Sequence, residues 1–155
     1  MSHARFIVSS HCRGSSCSGL GGDRMEAIFI TRTYDETMTL LVEARDYLSY
    51  GEPFERARLT AGDRLKANCE AMRITSRLTQ VMAWLLVQRA VAAGEITLHE
   101  AVQEPHRLSG QAVCHVTDAF PEVPLPNGLR SLLDRSHALY RRIERLDQMV
   151  ASRAA

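Results

Sequence analysis

The sequence predicts an all-α fold, an antiparallel bundle of three long helices with one or two short extra helices behind a flexible N-terminal leader, and three observations predict it. Apolar residues recur at spacings of three and four in three long stretches, at residues 31–50, 62–93 and 129–151. Glycine and proline gather between those stretches rather than inside them. No run of alternating apolar and polar residues long enough for a convincing strand interrupts the pattern.

Residues 1–25 read as a leader, because HARFIVSSHCRGSSCSGLGGDR is rich in small residues and has no sustained period. Met25 at its end is a candidate for the natural start. Residues 26–155 then form a single helical domain, which suits a chain of 155 residues. In the first long helix Tyr34, Met38, Leu41 and Leu48 share a face, with the Arg45 stem expected to lie among them, and Gly51 and Pro53 end it. The second runs from Asp63, as cap, to Gly94, as stop, with no glycine or proline between them. At about 100° per residue, Ile74, Leu78, Val81, Met82 and Leu85 fall on one side while Met72, Ala83, Leu86 and Ala90 fall on another. A helix apolar on two sides in so small a domain implies a face shared with a second copy, and symmetric pairs are the commonest oligomers.

Thr97 and Glu100 make a T-x-x-E capping box for a short helix from Leu98 that ends before Pro105. A second short helix is expected within residues 111–120, before the break at Pro121, Pro124, Pro126, Asn127 and Gly128. The last helix carries Leu132, Ser136, Leu139, Ile143, Leu146 and Val150 as a heptad-like seam.

Composition narrows the function classes. With 19 Lys plus Arg against 18 Asp plus Glu the net charge is +1, so no broad field gathers nucleic acid or anionic lipid. Lys66 is the one lysine, so the basic surface is built from arginine forks that suit carboxylates and protein contacts. The four cysteines, Cys12, Cys17, Cys69 and Cys114, are too sparse for a secreted disulfide scaffold, and the expectation is a reducing cytoplasm. The longest apolar run, residues 81–93, is too short to span a bilayer, which takes about 20 residues.

Between the two apolar sides of the second helix runs a strip of Arg73, Arg77, Gln80, Trp84 and Gln88. Arg and Trp together are the composition of interface hot spots, which makes this strip the candidate protein-interaction site. The competing reading has Trp84 filling the core and the arginines bonding carboxylates such as Glu70 within the chain. His3, His11, Cys12 and Cys17 have zinc-ligand chemistry but loose spacing, so a metal-binding protein using them is an alternative and no cofactor is expected. Cys114 and His115, adjacent on a helix, point about 100° apart and are expected to be a buried thiol and a surface imidazole rather than a nucleophile and base. Gly19 to Gly22 lack the G-K-[ST] of a phosphate loop, and no catalytic residues are assigned. The last helix, with Arg130, Arg135, Arg141, Arg142, Arg145 and Arg153, leaves a small DNA-binding regulator as the other alternative, although no helix-turn-helix pair is visible.

The stretch EAMRITSRLTQVMAWLLVQRAVAAGEITLHEA, Glu70 to Ala101, resembles the central helix of the RcdA family, named for regulation of CtrA degradation in alphaproteobacteria. The resemblance extends upstream over ETMTLLVEARDYL, Glu36 to Leu48, and more loosely to the last helix. It implies a non-enzymatic, helical-bundle dimer that serves as an adaptor for the ClpXP protease in the cell cycle, linking ClpX and a response-regulator-like activator to protein substrates. Membranes and nucleic acid are not expected partners. The Gly- and Ser-rich leader departs from the family pattern, and only Ser152 to Ala155 follow Ala151, so contacts through a long C-terminal tail are not expected. The terminal Ala154-Ala155 resembles the small apolar tails that ClpX engages.

Overall fold

In the computed structural model, which describes residues 20–51, 55 and 57–154, the chain forms α1 (Leu20–Asp46), a π-helical turn (Tyr47–Gly51), α2 (Ala61–Ala92), the short α3 (Leu98–Ala101) and α4 (Gln111–Cys114), and α5 (Asn127–Ala154). The fold class is the expected one. Among the described residues there are no strands, and three long helices make the bundle.

α2 is the central element. Ile74, Leu78, Val81 and Leu85 are fully buried, packed with Leu40 and Ala44 of α1 and Leu132, Leu139, Tyr140 and Ile143 of α5. Burying each such aliphatic side chain stabilises the fold by about 1.5–3 kcal/mol. Its ends are set chemically. The Thr60 hydroxyl accepts the Asp63 amide at 3.2 Å, so Thr60 is the cap and Asp63 sits in the first turn beside it. At the other end Gly94 adopts φ +73°, and the Glu95 amide donates back to the Ala90 carbonyl at 2.9 Å.

α1 starts at Leu20, not near Thr31, so the last residues assigned to the leader continue the helix. The stretch Asp23 to Ala27 contains no helix breaker, and Met25 lies inside the helix. Residues 1–19 lie outside the described residues. The face that α1 buries is Thr33, Thr37, Leu40 and Ala44, with the Thr37 hydroxyl donating to the Thr33 carbonyl at 2.7 Å. Tyr34, Leu41 and Leu48 pack against the edge of the core, whereas Met38 is exposed. Arg45 is exposed too, its guanidinium held by neighbouring Asp46, so its stem does not cover the core.

Helix direction emerges from the pairs that join the elements. Arg135 meets Glu43 and Arg142 meets Glu36, so α1 and α5 run antiparallel. Arg77 reaches Leu133 and Ser136 while Trp84 reaches Asp147, so α2 and α5 run parallel. α1 and α2 therefore run antiparallel, and residues 93–126 must travel back along the bundle as a strap before α5 can begin.

The strap carries α3 and α4. Thr97 and Glu100 form the expected capping box, with both reciprocal bonds present. The second short helix is only Gln111–Cys114, because two carbonyls beyond its start, those of Cys114 and Val116, are taken by Arg77, and Asp118 adopts a left-handed φ of 53°. At the start of α5, a Cβ on Gly128 would come within 2.5 Å of the Tyr47 ring, so glycine is required for the close approach of the π-helical turn.

Candidate protein-interaction site

The strip on α2 turns toward the molecule's own strap. Arg77 is 1% exposed, and its guanidinium donates to the carbonyls of Cys114 (2.9 Å), Val116 (2.7 Å) and Leu133 (3.0 Å), with Ser136 Oγ at 3.4 Å. Burial, with the neighbouring charge of Arg73, lowers its pKa from the ordinary guanidinium value. One turn along, the Ser109 hydroxyl donates to Gln80 Oε1 at 2.8 Å, and Tyr140 donates to the Ser109 carbonyl at 2.8 Å. Trp84 is 3% exposed, and its indole Nε1 donates to Asp147 Oδ1 at 2.9 Å.

Asp147 also accepts Arg107 at 2.7 Å and the Leu108 amide at 3.4 Å. Arg77 and Trp84 are thus a clamp that ties strap, α2 and α5 together, the intramolecular use weighed against an intermolecular one. Arg73 pairs with buried Glu70 on the same helix, and Gln88 is half-buried beside Trp84. Arg73, Gln80 and Gln88 are the strip members with side-chain surface left for a partner.

The opposite side of α2 is different. Leu65, Cys69, Met72, Thr79, Ala83 and Leu86 are exposed, and with Ser76 and Ala90 they repeat as alternating fours and threes. Leu65 is 66%, Met72 71% and Leu86 50% exposed. At 1.5 Å per residue this seam is about 37 Å long. The seam sets large apolar side chains in solvent along the outer face of α2, with the hydroxyl residues Ser76 and Thr79 among them. Met72, Ala83, Leu86 and Ala90 were legible from helical spacing. Leu65 and Cys69 follow from continuing the heptad to the start of the helix, and Thr79 falls within it between Met72 and Ala83.

Asp147 is a functional residue that helical spacing alone does not single out, yet its place one turn beyond Ile143 on the core seam of α5 is the signal that it faces inward.

The remaining candidates are accounted for within the chain. The Cys114 thiol is fully buried, and burial raises its pKa, against the opposing charge of Arg77. His115 Nε2 lies 2.7 Å from Glu144 Oε1, and Arg141 Nη1 lies 3.2 Å from Nδ1, so the imidazole is held against α5. A neutral buried thiol beside an engaged imidazole is not an activated nucleophile. Three of the α5 arginines, Arg135, Arg141 and Arg142, are paired with Glu43, Glu144 and Glu36.

Among the described residues no group of three or more His, Cys, Asp or Glu side chains could hold a metal ion. His3, His11, Cys12 and Cys17 lie outside them. Also among the described residues, no helix is long and apolar enough to cross a membrane.

Comparison with known proteins places this geometry. The model of a family described as a protein of unknown function, DUF1465, matches residues 22–155. Among solved structures, the crystal structure of RcdA from Caulobacter crescentus CB15 is similar with a TM-score of 0.59 and 37% sequence identity, over 78% of this chain and 89% of that one. A search of the curated proteins finds no match.

Proposed function

The chain belongs to the RcdA family, and from that premise we propose that it is a non-enzymatic adaptor of the cytoplasm that brings protein substrates to the ClpXP protease in cell-cycle-controlled proteolysis. The observation that carries this reading is the seam of exposed, largely apolar side chains along α2, from Leu65 to Ala90. A surface of this kind offers binding and no chemistry. The seam pairs two copies of the chain, and the homodimer presents two equivalent sets of edges, including Arg73, Gln80 and Gln88, to ClpX, to a response-regulator-like activator and to substrates. The protease then supplies the hydrolysis.

A DNA-binding role finds less support, because three arginines of α5 are paired with carboxylates of the bundle and the net charge adds no attraction for phosphates. Purification of the tagged full chain from its native cells tests the adaptor reading. It predicts that ClpX and a response-regulator-like protein co-purify; recovery of the tagged chain alone contradicts it.

A further inference from the structure

The seam on α2 reads the same from either end. From Leu65 through Met72, Ser76, Thr79 and Ala83 to Ala90, with Cys69 and Leu86 between, its spacings are four, three, four, three, four, three and four. Its midpoint falls between Arg77 and Leu78. A second α2, turned end for end at that level, therefore presents seam residue to seam residue over the whole length. Alternating fours and threes are the a and d positions of a heptad, whose side chains interlock as knobs in holes.

The side chains fit such a pairing as well as the spacings do. Leu65 falls opposite Ala90 of the second copy, Cys69 opposite Leu86 and Met72 opposite Ala83. Each layer sets a larger residue against a smaller one, which lets the two surfaces interdigitate. The innermost layer sets Ser76 against Thr79 of the second copy. The Ser76 hydroxyl donates to the Met72 carbonyl at 3.0 Å, so its oxygen is left to accept the threonine hydroxyl. Charge agrees with size. Along the flanks Arg73 meets Gln80 and Asn68 meets Arg89, guanidinium to amide, and no like charges face each other.

Other arrangements fit less well. A parallel pair in register sets Leu65, Met72 and Leu86 each on its own copy, with small on small between them. Slipping the antiparallel pair by one heptad carries Leu65 beyond the end of the helix at Ala92, or Leu86 back to Gly62. A strip about 37 Å long and one helix diameter wide, about 10–12 Å, covers about 800 Å² over two copies before side-chain relief is counted. With that relief the contact is on the order of 1,000 Å², the size at which specific interfaces begin.

We propose that two copies of the chain pair antiparallel through α2, about a two-fold axis at the level of Arg77 and Leu78, in the register that sets Cys69 of each copy against Leu86 of the other. This register rests on the seam being a self-pairing surface and fixes the direction in which it pairs.

Cross-linking reads the register. In the full chain carrying Cys12→Ser and Cys17→Ser, Cys69 is the exposed thiol and Cys114 is fully buried. Adding Leu86→Cys places a thiol 17 residues along the same helix, about 25 Å away and too far for a bridge within one copy. Diamide oxidation, followed on a non-reducing gel and by peptide mass spectrometry, should join residues 69 and 86 of different copies. It should do so at least tenfold faster than it joins two chains that keep Leu86. Without any added cysteine, Ala83→Met should weaken self-association on the order of tenfold by crowding Met72, and Met72→Ala in the same chain should restore it. An equally fast bridge between the two Cys69 residues in the chain that keeps Leu86 overturns the proposal in favour of a parallel pair. Absence of the 69–86 bridge, or of the rescue by Met72→Ala, in a chain that sediments as two copies overturns the register and leaves self-pairing standing. One copy at every concentration removes both.

Discussion

Replacing Arg77 by methionine tests the clamp that fixes the strap. The substitution keeps the length of the side chain and removes the charged donors, leaving the carbonyls of Cys114 and Val116 without their partner, while the Leu133 carbonyl keeps the Ser136 hydroxyl at 3.0 Å. Each buried carbonyl stranded in this way costs about 1–3 kcal/mol. Against that, methionine escapes the desolvation that lowers the pKa of the guanidinium. The net loss is therefore about 3 kcal/mol, which for a chain of this size lowers Tm by about 6–12 °C.

The loss should be uneven. Amides of the strap, from Leu108 to Val116, should exchange faster than those in the middle of α2, because the clamp holds the strap to a bundle that retains its apolar core. Arg77→Lys should lose a similar amount, since a compact ammonium cannot span carbonyls on both the strap and α5. Denaturant unfolding and hydrogen exchange measure both effects. A stability change under about 1 kcal/mol in Arg77→Met, or exchange that accelerates equally everywhere, would refute the clamp.

Other consequences follow from single contacts. Trp84→Phe removes the indole donor to Asp147 while keeping an aromatic ring, and should destabilise by about 2 kcal/mol in denaturant unfolding, as for a hydrogen bond to a charged group. Gly128→Ala should cost about 1–3 kcal/mol through the clash with the Tyr47 ring, and a double-mutant cycle with Tyr47→Leu should show positive coupling. His137 has its pKa lowered by burial and by the nearby charges of Arg77 and Arg141. The unfolded chain then binds the proton more readily, so His137 contributes stability that is present above the ordinary imidazole pKa and is lost as pH falls from there through its lowered value in the fold. His137→Gln should flatten that part of a stability-versus-pH curve, and an unchanged slope would remove His137 as its source. Met72→Glu with Leu86→Glu should abolish self-association while leaving the far-UV helical signal intact, because both side chains lie outside the core.

Helical periodicity made much of this molecule readable and left one class of question closed. The core of α2, the Thr97–Glu100 cap, the Gly94 stop and the seam on α5 all depend on local spacing, and all lie where spacing puts them. Spacing identifies the buried face of a helix but not the direction of its neighbour. The parallel course of α2 and α5 and the strap it demands were therefore hidden. Arg77 sat between two apolar faces, where a buried fork and an exposed one have the same sequence. It is the distant carbonyls of Cys114, Val116 and Leu133 that make its burial tolerable. Arg45 and Met38 misled for a related reason: α1 buries small threonines and an alanine where larger apolar residues on the next face seemed the better choice.

Sedimentation equilibrium of the natural full chain, from dilute to concentrated solution, bears most directly on the seam from Leu65 to Ala90. A two-copy mass that persists on dilution to micromolar concentration, and reverts to one copy in the Met72→Glu, Leu86→Glu chain, is the predicted result. One copy at every concentration would mean that the seam pairs with nothing of its own kind, and would contradict the dimeric binding module on which the functional reading rests.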